Sequence, residues 1–78
     1  MGRVVSFYKF MILNFLNDES PAGDLARDMK GDCDFPRFSI SYERVRNYLE
    51  RCAACSDCFD TFEECWNRYM IWKEAGNT

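Results

Sequence analysis

The chain has 78 residues, a net charge of −3 and no histidine, and 47% of its residues are hydrophobic. This length permits one domain with a small core, so most large apolar side chains are needed for packing and few remain to build a deep active site. The lack of histidine removes the commonest general base and the commonest metal ligand, and the acidic balance disfavours nonspecific binding to nucleic acid. Together these properties argue against most classes of enzyme.

The first half of the chain predicts two helices, over residues 6–16 and 21–30. Ser6 is a good N-cap, and the segment after it is apolar around nearly its whole circumference, which predicts a buried helix. Ser20 followed by Pro21 is a second start signal, because proline at the first helical position loses no hydrogen bond. The second helix has a thin apolar side and ends at a glycine.

The second half of the chain predicts an ordered loop and two further helices, over residues 42–53 and 60–74. Pro36 favours an extended backbone at the preceding residue, Phe35. Phe35 and Phe38 can both fill gaps in the core from this loop. Each of the two helices has apolar residues at helical spacing on one face and charged residues on the other.

Start signals, together with the lack of strand-like alternation, predict an all-α fold, a compact four-helix SAM-like bundle. Ser41 is the N-cap of the third helix, and Asp60 with Glu63 forms a capping box at the predicted start of the fourth. We expect one domain over residues 6–74, with flexible tails at 1–5 and 75–78. The thirteen aromatic residues lie mostly in three blocks, and the predicted core consists of Phe7, Phe10, Phe15, Phe35, Leu49, Phe62, Trp66 and Tyr69.

The order of four motifs resembles the YozE-like family. These motifs are SFYKF at residues 6–10, DFPR at 34–37, YERVRNYLE at 42–50 and TFEECWNRY at 61–69. The resemblance covers residues 6–70, nearly the whole chain. That family consists of short uncharacterised proteins of bacteria and phages with a sterile-alpha-motif-like (SAM-like) helical fold. The resemblance therefore implies a SAM-like bundle in the cytoplasm of a Gram-positive bacterium, or of a phage's host, and it implies no established activity.

The spacing of the cysteines gives the sharpest chemical signal. Cys52, Cys55 and Cys58 form a CxxCxxC run and Cys65 follows, a set of thiolates suited to zinc or an iron–sulfur cluster. Cys52 and Cys65 also fall on apolar helix faces, where a free cysteine packs as a small hydrophobe. If the fourth helix extended back through Cys58, ~10 Å of helix axis would separate Cys58 from Cys65, too far for one metal. We expect free thiols and no cofactor, with a metal site or a redox pair as the alternative.

A row of arginines defines the candidate contact surface. Arg44, Tyr48 and Arg51 have the helical spacing i, i+4, i+7 along one edge of the third helix, and Arg37 precedes them on the loop. Arginine beside tyrosine can anchor a protein interface, or it can pair with phosphates and stack on bases. The alternative is a solvated helix face whose charges pair locally.

The remaining features concern location. The start of the chain lacks a credible secretory signal, and no stretch approaches the ~20 apolar residues that span a bilayer. Five cysteines without such a signal indicate free thiols in a reducing cytoplasm. The start also fits the loose MGxxxS myristoylation pattern through Gly2 and Ser6, with an ordinary disordered start as the alternative. The acidic stretch over residues 18–34 is typical of a solubilising surface, or of a surface for a basic partner.

We therefore predict a non-enzymatic helical module that binds a protein partner, with no membrane contact and no small-molecule substrate. If a phage encodes it, a modulator or inhibitor of a host factor is a natural form of that function. Two alternatives remain open from the sequence. One is nucleic-acid binding through Arg37, Arg44 and Arg51, and the other is a metal or redox protein built on the cysteine cluster.

Overall fold

The computed structural model of the protein describes residues 5–52 and 56–76. Four helices follow one another along the chain: α1 at Phe7–Phe15, α2 at Pro21–Gly31, α3 at Tyr42–Arg51 and α4 at Ser56–Glu74. The described residues contain no strand. The predicted all-α fold with four helices is confirmed, and α1 packs against both α2 and α4.

Serine side chains cap the first three helices, as the sequence predicts. Each hydroxyl accepts a hydrogen bond from the backbone N–H three residues further on, at 3.2 Å for Ser6 and Lys9, 3.2 Å for Ser20 and Gly23, and 3.3 Å for Ser41 and Arg44. Each of these bonds satisfies one of the N–H groups that a helix start leaves without a partner in the helix.

The fourth helix begins at Ser56 and not at residue 60, so its predicted start is wrong. Residues 56–60 contain no glycine or proline, so the sequence permits a helix that begins at Ser56. Cys58 and Phe59 also pack against the core, and their packing favours the earlier start. Asp60 and Glu63 consequently lie inside α4, and they are not a capping box at its end.

Aromatic rings from α1 and α4 form the centre of the core. The ring of Phe7 is fully buried, and its centroid lies 4.9 Å from that of Trp66. The rings of Phe62 and Tyr69 each approach Phe7 edge-on at 5.5 Å, a favourable geometry for aromatic pairs. Tyr42 stacks on Phe62 at 5.5 Å and so joins α3 to the same cluster.

Of the eight predicted core side chains, Phe15 is partly buried and the others are buried. Two further side chains that the sequence places in the core are exposed. Phe38 lies on the surface because the Ser39 N–H bonds to the Pro36 carbonyl at 3.3 Å, which closes a turn with Phe38 on its outer side. Cys52 is exposed because it is the C-cap of α3, where the chain leaves the apolar arc of that helix.

The predicted flexible tails and the myristoylation pattern fall largely on residues 1–4 and 77–78, which lie outside the described residues. At the described ends, the Val5 carbonyl accepts a hydrogen bond from the Tyr69 hydroxyl at 2.5 Å. Gly76 follows α4 with a φ of 87°, a backbone conformation that suits glycine after a helix. None of the helices in the described ranges is both long enough and apolar enough to cross a membrane.

We predict that Gly23→Ala destabilises the protein, although alanine normally favours a helix. A Cβ at Gly23 would lie 1.8 Å from the backbone carbonyl oxygen of Asp18, so the loop between α1 and α2 would have to move. We expect a loss of about 1–3 kcal/mol in the free energy of unfolding, measured by urea denaturation. Gly31→Ala is the matched control, because beyond its chain neighbours and its own helix backbone no atom lies within 4 Å of the added Cβ. A stabilising Gly23→Ala would contradict this close approach.

Candidate functional site

The loop between α2 and α3, residues 32–41, is tied to the start of α1. The Ser6 hydroxyl donates a hydrogen bond to the Arg37 carbonyl at 2.7 Å while it also caps α1. The Phe7 N–H donates to the Ser39 carbonyl at 3.4 Å. The loop therefore has two attachments to a helix that precedes it by about thirty residues in sequence.

Two phenylalanines on this loop have opposite environments. Phe35 is 4% exposed, and its ring centroid lies 5.9 Å from that of Tyr8 and 5.5 Å from that of Tyr48. Phe38 is 94% exposed. A single exposed apolar residue is common on protein surfaces, but a large ring on a loop with fixed attachments is a ready anchor for a partner.

Arg37, a predicted contact residue, is used within the fold. Its guanidinium lies 4.9 Å from the centre of the Tyr8 ring, a cation–π contact. Its Nη2 also donates to the Lys30 carbonyl at 3.1 Å, in the last turn of α2, where the helix dipole favours a positive charge. The Arg37 side chain therefore helps to hold the loop against α1 and the end of α2.

Arg44 and Phe38 lie together, which the sequence did not predict. Both line a shallow concavity of about 520 Å³ with Arg37 and other loop residues. Arg44 is exposed, and it forms no ion pair within the described parts of the chain. Arg51 is also exposed, at the last residue of α3.

Tyr48 faces the α2–α3 loop and not open solvent. Its hydroxyl donates to the Asp32 carboxylate, and this hydrogen bond, followed by one to Cys52, raises the pKa of Tyr48. Tyr48 therefore stays protonated over the physiological pH range. The predicted row of Arg44, Tyr48 and Arg51 thus contains two exposed cations and one tyrosine that is engaged by the loop.

The predicted metal cluster is only partly covered by the described residues, because Cys55 lies outside them. Cys52 is exposed, Cys58 is partly buried and Cys65 is buried. Since α4 includes both Cys58 and Cys65, ~10 Å of helix axis separates them. Within residues 5–52 and 56–76, no group of three or more acidic, cysteine or histidine side chains is arranged to hold a metal ion. The cysteine-cluster alternative stays a prediction.

These features describe a small all-α domain with an aromatic core and one anchored, aromatic-bearing loop. The chain belongs to the YozE SAM-like fold family, which matches residues 6–71. It is 27% identical over 67 residues to a UPF0346 protein of Staphylococcus haemolyticus, and this match covers 86% of the chain and 90% of that relative. No solved structure shows significant similarity to the chain. The family is uncharacterised, so membership defines the fold and leaves the activity open.

We predict that Ser6→Ala both destabilises the protein and loosens the α2–α3 loop. The substitution removes the cap of α1 and the bond to the Arg37 carbonyl, for a loss of about 1–2 kcal/mol. Ser20→Ala is the matched control, since it removes a helix cap without touching this loop. Amide hydrogen exchange should accelerate at Ser39, whose N–H bonds to the Pro36 carbonyl, in Ser6→Ala alone. Equal acceleration in both variants would contradict the tether.

We predict that Cys65 does not react with iodoacetamide in the folded protein at pH 8. Burial, and then the neighbouring Glu64 carboxylate, raise the pKa of the Cys65 thiol to about 11, so little thiolate is present at this pH. The exposed Cys33 and Cys52 should be alkylated first, as measured by mass spectrometry of peptides. The same reaction in denaturant is the control, and there Cys65 should react at an ordinary rate. Equal rates for Cys33 and Cys65 in the folded protein would contradict this burial.

Proposed function

We propose that this protein is a non-enzymatic interaction module that binds a partner protein through the surface formed by Phe38 and Arg44. The single observation that carries the proposal is the 94% exposure of Phe38 on a loop that is tied to α1. Aromatic residues and arginine are enriched at the centres of protein interfaces. Because the loop is already held in place, binding through Phe38 would cost little ordering of the backbone.

The use of the arginines favours a protein partner over nucleic acid. Arg37 holds the loop, and Arg46 pairs with Glu50 and with Glu63. Arg44 and Arg51 remain, and seven residues of helix separate them by ~10 Å along its axis. Two such cations on a chain with a net charge of −3 make a weak phosphate-binding surface. They suit a partner that offers an apolar pocket for Phe38 with a carboxylate near Arg44.

The cellular setting that we propose is a reducing cytoplasm. Cys33 and Cys52 are exposed free thiols, and such thiols persist in reducing compartments. The lack of histidine in the chain supports a binding role over acid–base catalysis.

Photo-cross-linking tests the proposed interface. Phe38→p-benzoylphenylalanine keeps an aromatic side chain at the exposed position, so irradiation of cells that express this variant should yield a discrete adduct. We expect the adduct to be destroyed by protease and to survive nuclease, and Arg44→Ala in the same chain should lower its yield. Leu13→p-benzoylphenylalanine is the control, because Leu13 is 61% exposed on α1, away from the loop. A nuclease-sensitive adduct, or the same adducts from both positions, would overturn the proposal.

We predict that Phe38→Ala separates binding from stability. Since Phe38 is 94% exposed, the change should alter the free energy of unfolding by less than about 0.5 kcal/mol. It should weaken binding of the cross-linked partner by about 2 kcal/mol, roughly thirtyfold, in isothermal titration calorimetry. Phe35→Ala is the contrast, because Phe35 is 4% exposed and its loss should cost about 3–5 kcal/mol of stability. Unchanged affinity in Phe38→Ala would contradict the interface.

A further inference from the structure

A second concavity lies beyond Phe35, between α2, the α2–α3 loop, α3 and the first turn of α4. Its volume is about 320 Å³, which is within the usual range for sites that bind small molecules. Its lining is mainly apolar with a few polar groups, and consists of Leu25, Asp28, Met29, Asp32, Phe35, Tyr48, Leu49, Cys52 and Cys58. We call it the α2–α3 cavity.

The floor of the α2–α3 cavity is built from core side chains. Leu25, Met29, Phe35 and Leu49 are all buried, and each presents part of its surface to the cavity. The Phe35 and Tyr48 rings meet edge to face, with centroids 5.5 Å apart and planes at 80°. An apolar group of a ligand would therefore contact a fixed wall, and it would gain the free energy of leaving water.

One carboxylate of the cavity is held in a fixed position. Asp32 Oδ2 accepts the hydrogen bond from the Tyr48 hydroxyl, and Asp32 Oδ1 accepts the Asp34 N–H at 3.0 Å. Both donors are neutral, so they orient the carboxylate without cancelling its charge. Each carboxylate oxygen has a second lone pair, which leaves capacity for a cation.

The charged side chains in the described part of the cavity lining have one sign. Among the described residues, the lining includes Asp28 and Asp32 and contains no lysine or arginine. Within the described residues, neither carboxylate takes part in an ion pair. Two unpaired carboxylates beside an apolar wall select a ligand with positive charge.

We infer that the α2–α3 cavity binds a small organic cation, in which an aromatic or branched alkyl group carries one ammonium. The apolar group lies on the floor formed by Leu25, Met29 and Leu49, and the ammonium lies at Asp32. The Phe35 and Tyr48 rings border the same apolar wall. Among the described residues this site shares Phe35 with the concavity around Phe38, and it does not depend on a protein partner.

A charge series of matched ligands tests the inference. The probes are 4-phenylbutylamine, 4-phenylbutan-1-ol and 4-phenylbutyrate, which differ chiefly in their terminal group. Each is titrated into the full-length 15N-labelled protein, kept reduced because Cys52 and Cys58 line the cavity. We expect the amine to shift the amide resonances of Met29, Tyr48 and Leu49 saturably, with a dissociation constant in the millimolar range or tighter. The alcohol should bind at least threefold more weakly and the carboxylate at least tenfold more weakly.

Asp32→Asn tests the role of the fixed carboxylate. Asparagine keeps an oxygen that can accept the Asp34 N–H, so the loop geometry is retained while the charge is lost. We expect the amine to bind about tenfold more weakly and to lose its preference over the alcohol. Asp28→Asn, at an exposed position, is the second variant, and it serves where Asp32→Asn folds poorly. It should weaken binding of the amine by a smaller factor.

Glu74→Gln is the control for a general loss of negative charge, because Glu74 is exposed at the end of α4, outside the lining. It should leave the affinity for the amine unchanged. Equal affinity for the three probes would overturn the inference. So would shifts that cluster at Phe38 and Arg44, or an affinity for the amine that neither aspartate substitution changes.

Discussion

The enclosure of the Phe7 ring by aromatic side chains of α4 determines where the rest of the chain can lie. Phe7 is fully buried, and Trp66, Phe62 and Tyr69 surround it at centroid distances of 4.9–5.5 Å. Three large rings on one helix fix the start of α1 against α4 with few residues, which suits a chain too short for a large core. Because Phe7 is fixed, Ser6 directly before it is fixed too. Its hydroxyl can then cap α1 and hold the α2–α3 loop.

Because the α2–α3 loop is attached to α1, some of its side chains pack against the fold and others face solvent. Phe35 and Arg37 serve the interior, Phe35 through the Tyr8 and Tyr48 rings and Arg37 through the end of α2. Phe38 and Arg44 face solvent around a common concavity. The contacts that order the loop are thus made by other side chains than Phe38 and Arg44, so these two residues can be changed without loss of the fold.

Local sequence signals predicted the helices well because their physical causes are local. The serine caps act over three residues, and the apolar periodicity of α3 acts over about three turns. The predicted start of α4 was wrong because packing of Phe59 against the core outweighed the local capping signal at Asp60.

The candidate surface was only partly predictable for the same reason. Helical spacing predicted Arg44 and Arg51 along α3, where both are exposed, but nothing in the local sequence distinguishes Arg37 from these two arginines. Its engagement depends on the Lys30 carbonyl and the Tyr8 ring, which no local pattern reveals. Likewise, Phe35 and Phe38 are both aromatic and lie three residues apart. Phe35 is buried because it packs against Tyr8 and Tyr48, which are contacts between distant segments that no local pattern reveals.

The two concavities beside Phe35 contain side chains of opposite charge that form no ion pair with each other within the described residues. Phe35 lines both, with Arg44 in one and Asp32 in the other. An ion pair between Arg44 and Asp32 would cancel both charges, yet the described residues contain none. Asp32 instead bonds to the neutral Tyr48 hydroxyl and to the Asp34 N–H, which keep its carboxylate in the acidic cavity. The net charge of −3 conceals this division, since it sums over a concavity lined by Asp34, Arg37 and Arg44 and another lined by Asp28 and Asp32.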